Sequence, residues 1–94
     1  MNAKRKGSRN EHRSIALLES AGYQCSRSAA SLGAWDIVGI GALDVVLVQV
    51  KTNAWPGNAE MERLRLFPAP ANCVKLVHRW RNGQRAPDVR EVAS

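Results

Sequence analysis

Cysteine is scarce in this chain. Cys25 and Cys73 are the two in 94 residues, they lie far apart in no CxxC pair, and neither has a histidine at metal-ligand spacing. That pattern argues against a disulfide scaffold and a zinc site. Long apolar runs are also missing. No stretch approaches the roughly 20 consecutive apolar residues of a membrane span, and no apolar signal core follows the basic opening residues. A cytoplasmic location is therefore expected. Aromatics are few, with one Phe, one Tyr and three Trp, yet 45% of the residues are hydrophobic. That is enough for one small core and too much for a disordered tail. There are no internal repeats and no sign of a second domain.

Acidic residues are the minority among the charges: eight Asp+Glu face fourteen Lys+Arg, leaving a formal charge of +6. The excess is uneven. Lys4, Arg5, Lys6, Arg9 and Arg13 open the chain, and Lys75, Arg79, Arg81, Arg85 and Arg90 crowd its last quarter. Such a balance suits a polyanionic partner, nucleic acid first, because each neutralised phosphate releases counterions. Solubility alone is the plainer use of the same charges.

Residues 1–7 read as a flexible basic arm. Ser8 and Glu11 match a capping box, so a helix is expected from about residue 9 to 21, with Ile15 and Leu18 inward and Gly22 as its stop. Short strands are expected over 23–27 and 35–40. The strongest strand signal runs from Asp44 to Thr52, a nearly unbroken series of Val and Leu that suits a central strand covered on both faces. At period two, Val46, Val48 and Val50 share one face while Leu47, Gln49 and Lys51 share the other. A second helix is expected from Asn58 to about Phe67, with Met61 and Leu64 inward and ended by Pro68 and Pro70. Cys73 to Trp80 and Asp88 to Val92 then form a hairpin around Asn82 and Gly83.

Gln49 and Lys51 demand an explanation, since polar groups on a buried strand are costly unless paired or used. Antiparallel pairing of the second and third strands would carry Asp36 toward them. Glu11 shares a helix face with Ile15 and Leu18 and is expected to point the same way. One Glu, one Asp, one Gln and one Lys are thus expected to converge. Magnesium takes oxygen ligands from one or two carboxylates plus carbonyls, waters and phosphates, and an ion so held can activate water against a phosphodiester. An ammonium beside it can orient that water or offset developing charge.

Glu11, the 27–33 loop, residues 35–38 and the strand from Leu47 to Thr52 together resemble the archaeal-type Holliday junction resolvases, which also occur in phages. These belong to the PD-(D/E)XK nuclease superfamily. The resemblance covers about residues 4–53, with a weaker echo in the closing hairpin. It implies an α/β fold: a single domain whose restriction-endonuclease-like mixed β-sheet is flanked by helices. It further implies a homodimer and magnesium-dependent nicking of four-way DNA junctions to leave 5′-phosphate ends, with manganese substituting. By the same resemblance Asp36 is a direct metal ligand and Glu11 a ligand or water-holding acid. Val50 offers its backbone carbonyl, Gln49 its amide oxygen, and Lys51 positions the attacking water. Arg27 and Ser31 match loop residues that in the family approach the scissile phosphate, and the charges of Lys4, Arg5, Lys6 and Arg9 are expected to contact DNA phosphates.

Two departures stand out. Gln49 occupies a position where the family usually has Glu, which removes one negative charge, and Ala30 replaces a usual Gly in the loop. The same residues have plainer uses: Glu11 as a capping acid, Asp36 as a strand-edge solubiliser, Lys51 as a snorkelling base. Trp35, Trp55 and Trp80 suit core or interface packing better than base stacking, and His12 and His78 are assigned no role. Three functions stay open at this point: a junction resolvase, a related nuclease acting on other DNA structures, and a DNA-binding protein whose site has lapsed.

Overall fold

A computed structural model describes residues 3–28 and 33–93, with the side chains of residues 3–6 outside the description. The chain forms α1 (Ala3–Ser20), β1 (Gln24–Arg27), β2 (Ile37–Ile40), β3 (Val45–Thr52), α2 (Asn58–Leu66), β4 (Cys73–Trp80) and β5 (Asp88–Glu91). The strands build a mixed sheet in the order β1-β2-β3-β4-β5. Neighbours pair antiparallel except for β3 and β4, which run parallel in the register Val45↔Cys73 to Thr52↔Trp80. No described helix is long and apolar enough to cross a membrane.

The alternation on β3 decides how the helices sit. Val46 and Val48 join Ile37 and Leu18 in one apolar layer, with Ile15 and Val50 packed against it, so α1 covers this face. Leu47 joins Trp35, Leu64, Val77 and Val92 in the other layer, under α2. Leu64 is the buried residue of α2, and burying such a side chain stabilises by roughly 1.5–3 kcal/mol.

Helix α1 ends as expected at Gly22, whose φ of 102° lies in the left-handed region. Tyr23 N–H donates to the Leu18 carbonyl and Gly22 N–H to the Glu19 carbonyl, the paired bonds of a Schellman motif. The start of α1 differs from the expectation. The helix runs back to Ala3, so no break at residue 8 separates an arm from a helix. Lys and Arg are good helix formers, and Ser8 and Glu11 lie inside the helix.

Polar ties help to dock both helices. Ser14, fully buried on α1, accepts a hydrogen bond from Trp80 Nε1 at 2.8 Å and lies 2.9 Å from His78 Nδ1. Burial pushes the His78 pKa down to about 4, which leaves the ring neutral and structural. On the other face, the ammonium of Lys75, 3% exposed, donates to the carbonyls of Arg65 at 3.0 Å and Phe67 at 2.6 Å. It caps the unsatisfied carbonyls at the end of α2.

Candidate active site

The site grows from the junction of β2 and β3. Ile37 pairs with Val48, and just before that pair Asp36 N–H donates to the Val48 carbonyl at 2.9 Å. Its carboxylate then accepts from the Val50 N–H at 2.7 Å. Asp36 therefore stands beside Val50 and next to Lys51, as the antiparallel pairing requires. Burial pushes its pKa up, and the Val50 hydrogen bond opposes this. The negative charge of Glu11 raises it further, Lys51 lowers it, and Glu60 raises it again; the net direction is upward. Burial of this half-buried acid is thus the main reason that its neutral form is favoured.

Glu11 reaches this place by a different route from the one expected. Because α1 lies over the Val46, Val48 and Val50 face, Glu11 and Gln49 stand on opposite sides of β3 and do not share a face. Glu11 instead pairs with Arg27, its Oε1 lying 3.0 Å from Nε and 2.7 Å from the terminal nitrogen. Its charge still acts on Asp36. Helix periodicity correctly put Glu11 on the packed side of α1, but nothing local said which face of β3 that helix would cover.

Gln49 is 4% exposed and faces α2. Its Nε2 donates to Glu60 Oε2 at 2.9 Å and to the Ala34 carbonyl at 3.3 Å. Its Oε1 is buried with no hydrogen-bond partner. Lys51 Nζ lies 2.9 Å from the other oxygen of Glu60. Glu60 is thus a residue that sequence reasoning missed. Burial pushes its carboxyl up, but the Lys51 ammonium and the Gln49 amide hold it below its ordinary value. Its one sequence signal was an acid in the first turn of a helix, a common dipole-complementing placement that does not point to β3.

The remaining expected residues divide. Arg9 is exposed, and Arg27 is exposed but engaged with Glu11. Ser31, with Ala30, lies outside the described residues, as do the side chains of Lys4, Arg5 and Lys6. In the closing hairpin Lys75 is buried, and Arg79 and Arg81 share Asp88 at 2.6 and 3.2 Å. Arg79 and Arg90 stack on Trp55 at 4.5 and 4.1 Å, and Arg13 stacks on Trp80 at 3.9 Å. Much of the hairpin's positive charge is used within the molecule.

Magnesium needs few protein oxygens, and the donor chemistry here fits it. Asp36 supplies a carboxylate, and the orphaned, buried Gln49 Oε1 is an acceptor without a donor. No cluster of three or more His, Cys, Asp or Glu able to hold a metal occurs among the described residues, so a bound ion would draw most of its ligands from water and phosphate.

No protein-family model matches the chain, and no curated protein does. Solved structures do. Hjc of Archaeoglobus fulgidus, a Holliday junction resolvase from an archaeal hyperthermophile, matches with a TM-score of 0.74 at 23% identity, over 93% of this chain and 73% of that one. The chain therefore has the fold of an archaeal Holliday junction resolvase: a mixed five-stranded sheet with one helix on each face.

Proposed function

We propose that the protein is a divalent-metal-dependent endonuclease that nicks branched DNA, four-way junctions first, leaving 5′-phosphate ends. The observation that carries this reading is the placement of Asp36: a half-buried carboxylate, held by the Val50 N–H at 2.7 Å, next to Lys51, in a fold shared with a resolvase. Asp36 and the Gln49 amide oxygen would hold the ion, with Glu11 near enough to affect Asp36 electrostatically and Val50 offering its carbonyl. The bound ion would supply an activated water and charge stabilisation at the phosphate. Lys51 orients the attacking water or offsets the charge developing on phosphate. Arg27, anchored by Glu11, stands at the end of β1 where a phosphate backbone can approach. A twofold homodimer would present two such sites to the opposed strands of a junction.

The test is cleavage of labelled four-way junctions, flaps, nicked duplexes and linear duplexes with magnesium or manganese, by wild type and Asp36→Asn. Junction nicking that requires metal and is lost in the variant is expected. Preference for another branched DNA would change the substrate within the same chemistry. The neutral Gln49 favours one rival, a lapsed site that binds DNA without cutting it, and tight junction binding with no cleavage in any divalent metal would establish that rival.

A further inference from the structure

The Glu60 carboxylate has no place in the mechanism so far, although it touches both Gln49 and Lys51 of β3. Its two oxygens are divided, one 2.9 Å from Gln49 Nε2 and the other 2.9 Å from Lys51 Nζ. Glu60 also lies near enough to Asp36 for its charge to act on that carboxylate. The orphaned Oε1 belongs to the same Gln49 amide, at a residue 4% exposed, and has no donor. An unpartnered acceptor in such surroundings loses the hydrogen bonds it had in water and is satisfied by a donor or a cation. The neighbouring donor, Lys51 Nζ, is already on Glu60.

We propose that Glu60, carried by α2, is the second carboxylate of the cation site, standing in for the strand carboxylate that Gln49 lacks. This rests on the metal-dependent reading above and specifies it. With Asp36 the site then holds two carboxylates and one neutral amide oxygen, within the range magnesium accepts when water and phosphate complete its shell. On ion binding, one Glu60 oxygen turns from Lys51 toward the cation, which frees the Lys51 ammonium for water or phosphate. Lys51 and the ion thus compete for the same carboxylate, and this competition separates a ligand from a mere clamp.

The experiment is manganese binding to the full chain without DNA, followed by electron paramagnetic resonance and by calorimetry. Glu60→Gln should weaken manganese binding on the order of tenfold or more. Gln49→Glu combined with Glu60→Gln, which returns the carboxylate to the strand, should restore it close to wild type. Lys51→Met should bind manganese more tightly than wild type, because the competing ammonium is gone. A clamp that only holds Lys51 in place predicts the opposite for that variant, binding unchanged or weakened. If Asp36→Asn loses manganese while Glu60→Gln retains it fully, the Glu60 assignment is overturned and the nuclease reading stands. If wild type binds no manganese, or Asp36→Asn binds it normally, the metal site itself is misplaced and the Glu60 assignment falls with it. Melting curves for each variant separate lost binding from lost folding.

Discussion

Asp36 is bonded to Val50 through the Val50 backbone, its carboxylate accepting the N–H at 2.7 Å. A side chain fastened to main chain in this way cannot swing off β3, so its distance to the Lys51 backbone is set by the strand itself. Rigid placement of this kind is what an ion-holding acid needs.

The upward-shifted Asp36 pKa has a consequence for stability. A carboxyl whose folded pKa is raised holds its proton more tightly in the folded state, so its stabilising effect is present at acid pH and lost as pH rises through the folded value. At neutral pH the ionised group weakens the metal-free protein. Asp36→Asn is therefore expected to raise the metal-free melting temperature while abolishing cleavage, and magnesium should raise the melting temperature of wild type but not of the variant. Scanning calorimetry at neutral pH checks both. A variant that melts lower than wild type would mean that the Val50 hydrogen bond outweighs the burial of charge.

His78 sets an acid limit. Its pKa falls from 6.5 to about 4 on burial, so between those values the unfolded chain takes up a proton that the folded chain refuses. Stability should drop across that window and level off, for this group, below it. The full effect is on the order of 3 kcal/mol. Urea unfolding at a series of pH values should show wild type losing this amount relative to His78→Gln, which keeps a polar partner for Ser14 and does not titrate. Parallel curves for the two proteins would rule the effect out.

Lys75→Ala should destabilise by about 2–3 kcal/mol in urea unfolding, because it strands the two carbonyls at the end of α2 and leaves a void. Truncating a fully exposed lysine would cost almost nothing. A change below about 0.5 kcal/mol would show that water replaces the ammonium freely.

Salt dependence of junction binding distinguishes free from engaged arginines. Arg9→Ala should lower the slope of log affinity against log salt by about one. Arg79→Ala should leave the slope nearly unchanged, since Arg79 is paired with Asp88 and packed on Trp55. Fluorescence anisotropy titrations over a range of salt measure both, and equal slope changes would place the DNA on the hairpin as well.

The fold was legible wherever short-range rules govern it. The valine alternation of β3, the Gly22 stop and the hairpin at Gly83, whose φ is 82°, all follow from period and backbone freedom. The capping signal at Ser8 misled because Lys4, Arg5 and Lys6, all good helix formers, carry the helix back across Gly7 to Ala3. For the site, Asp36 and Lys51 were readable because antiparallel pairing of adjacent strands brings them together. The side of the sheet taken by α1 was not, so Glu11 was placed facing Gln49 when it stands across the strand. Glu60 was beyond local reading altogether. Its contact with Gln49 depends on where a crossover lands, which no pattern within α2 encodes.

That crossover reaches further than geometry. β3 and β4 are parallel, so the chain between them must pass over the sheet, and α2 is the helix that makes the passage. At nine residues it is too short to persist alone in water. It is held at its first turn by Lys51 through Glu60, at its middle by Leu64, and at its last carbonyls by Lys75. The two lysines act as staples driven from the sheet into either end. Amide protons of α2 should therefore exchange through a local opening that leaves the strands intact. Each such opening carries Glu60 away from Gln49 and Lys51, so this corner of the candidate site is assembled only as long as a short helix stays closed.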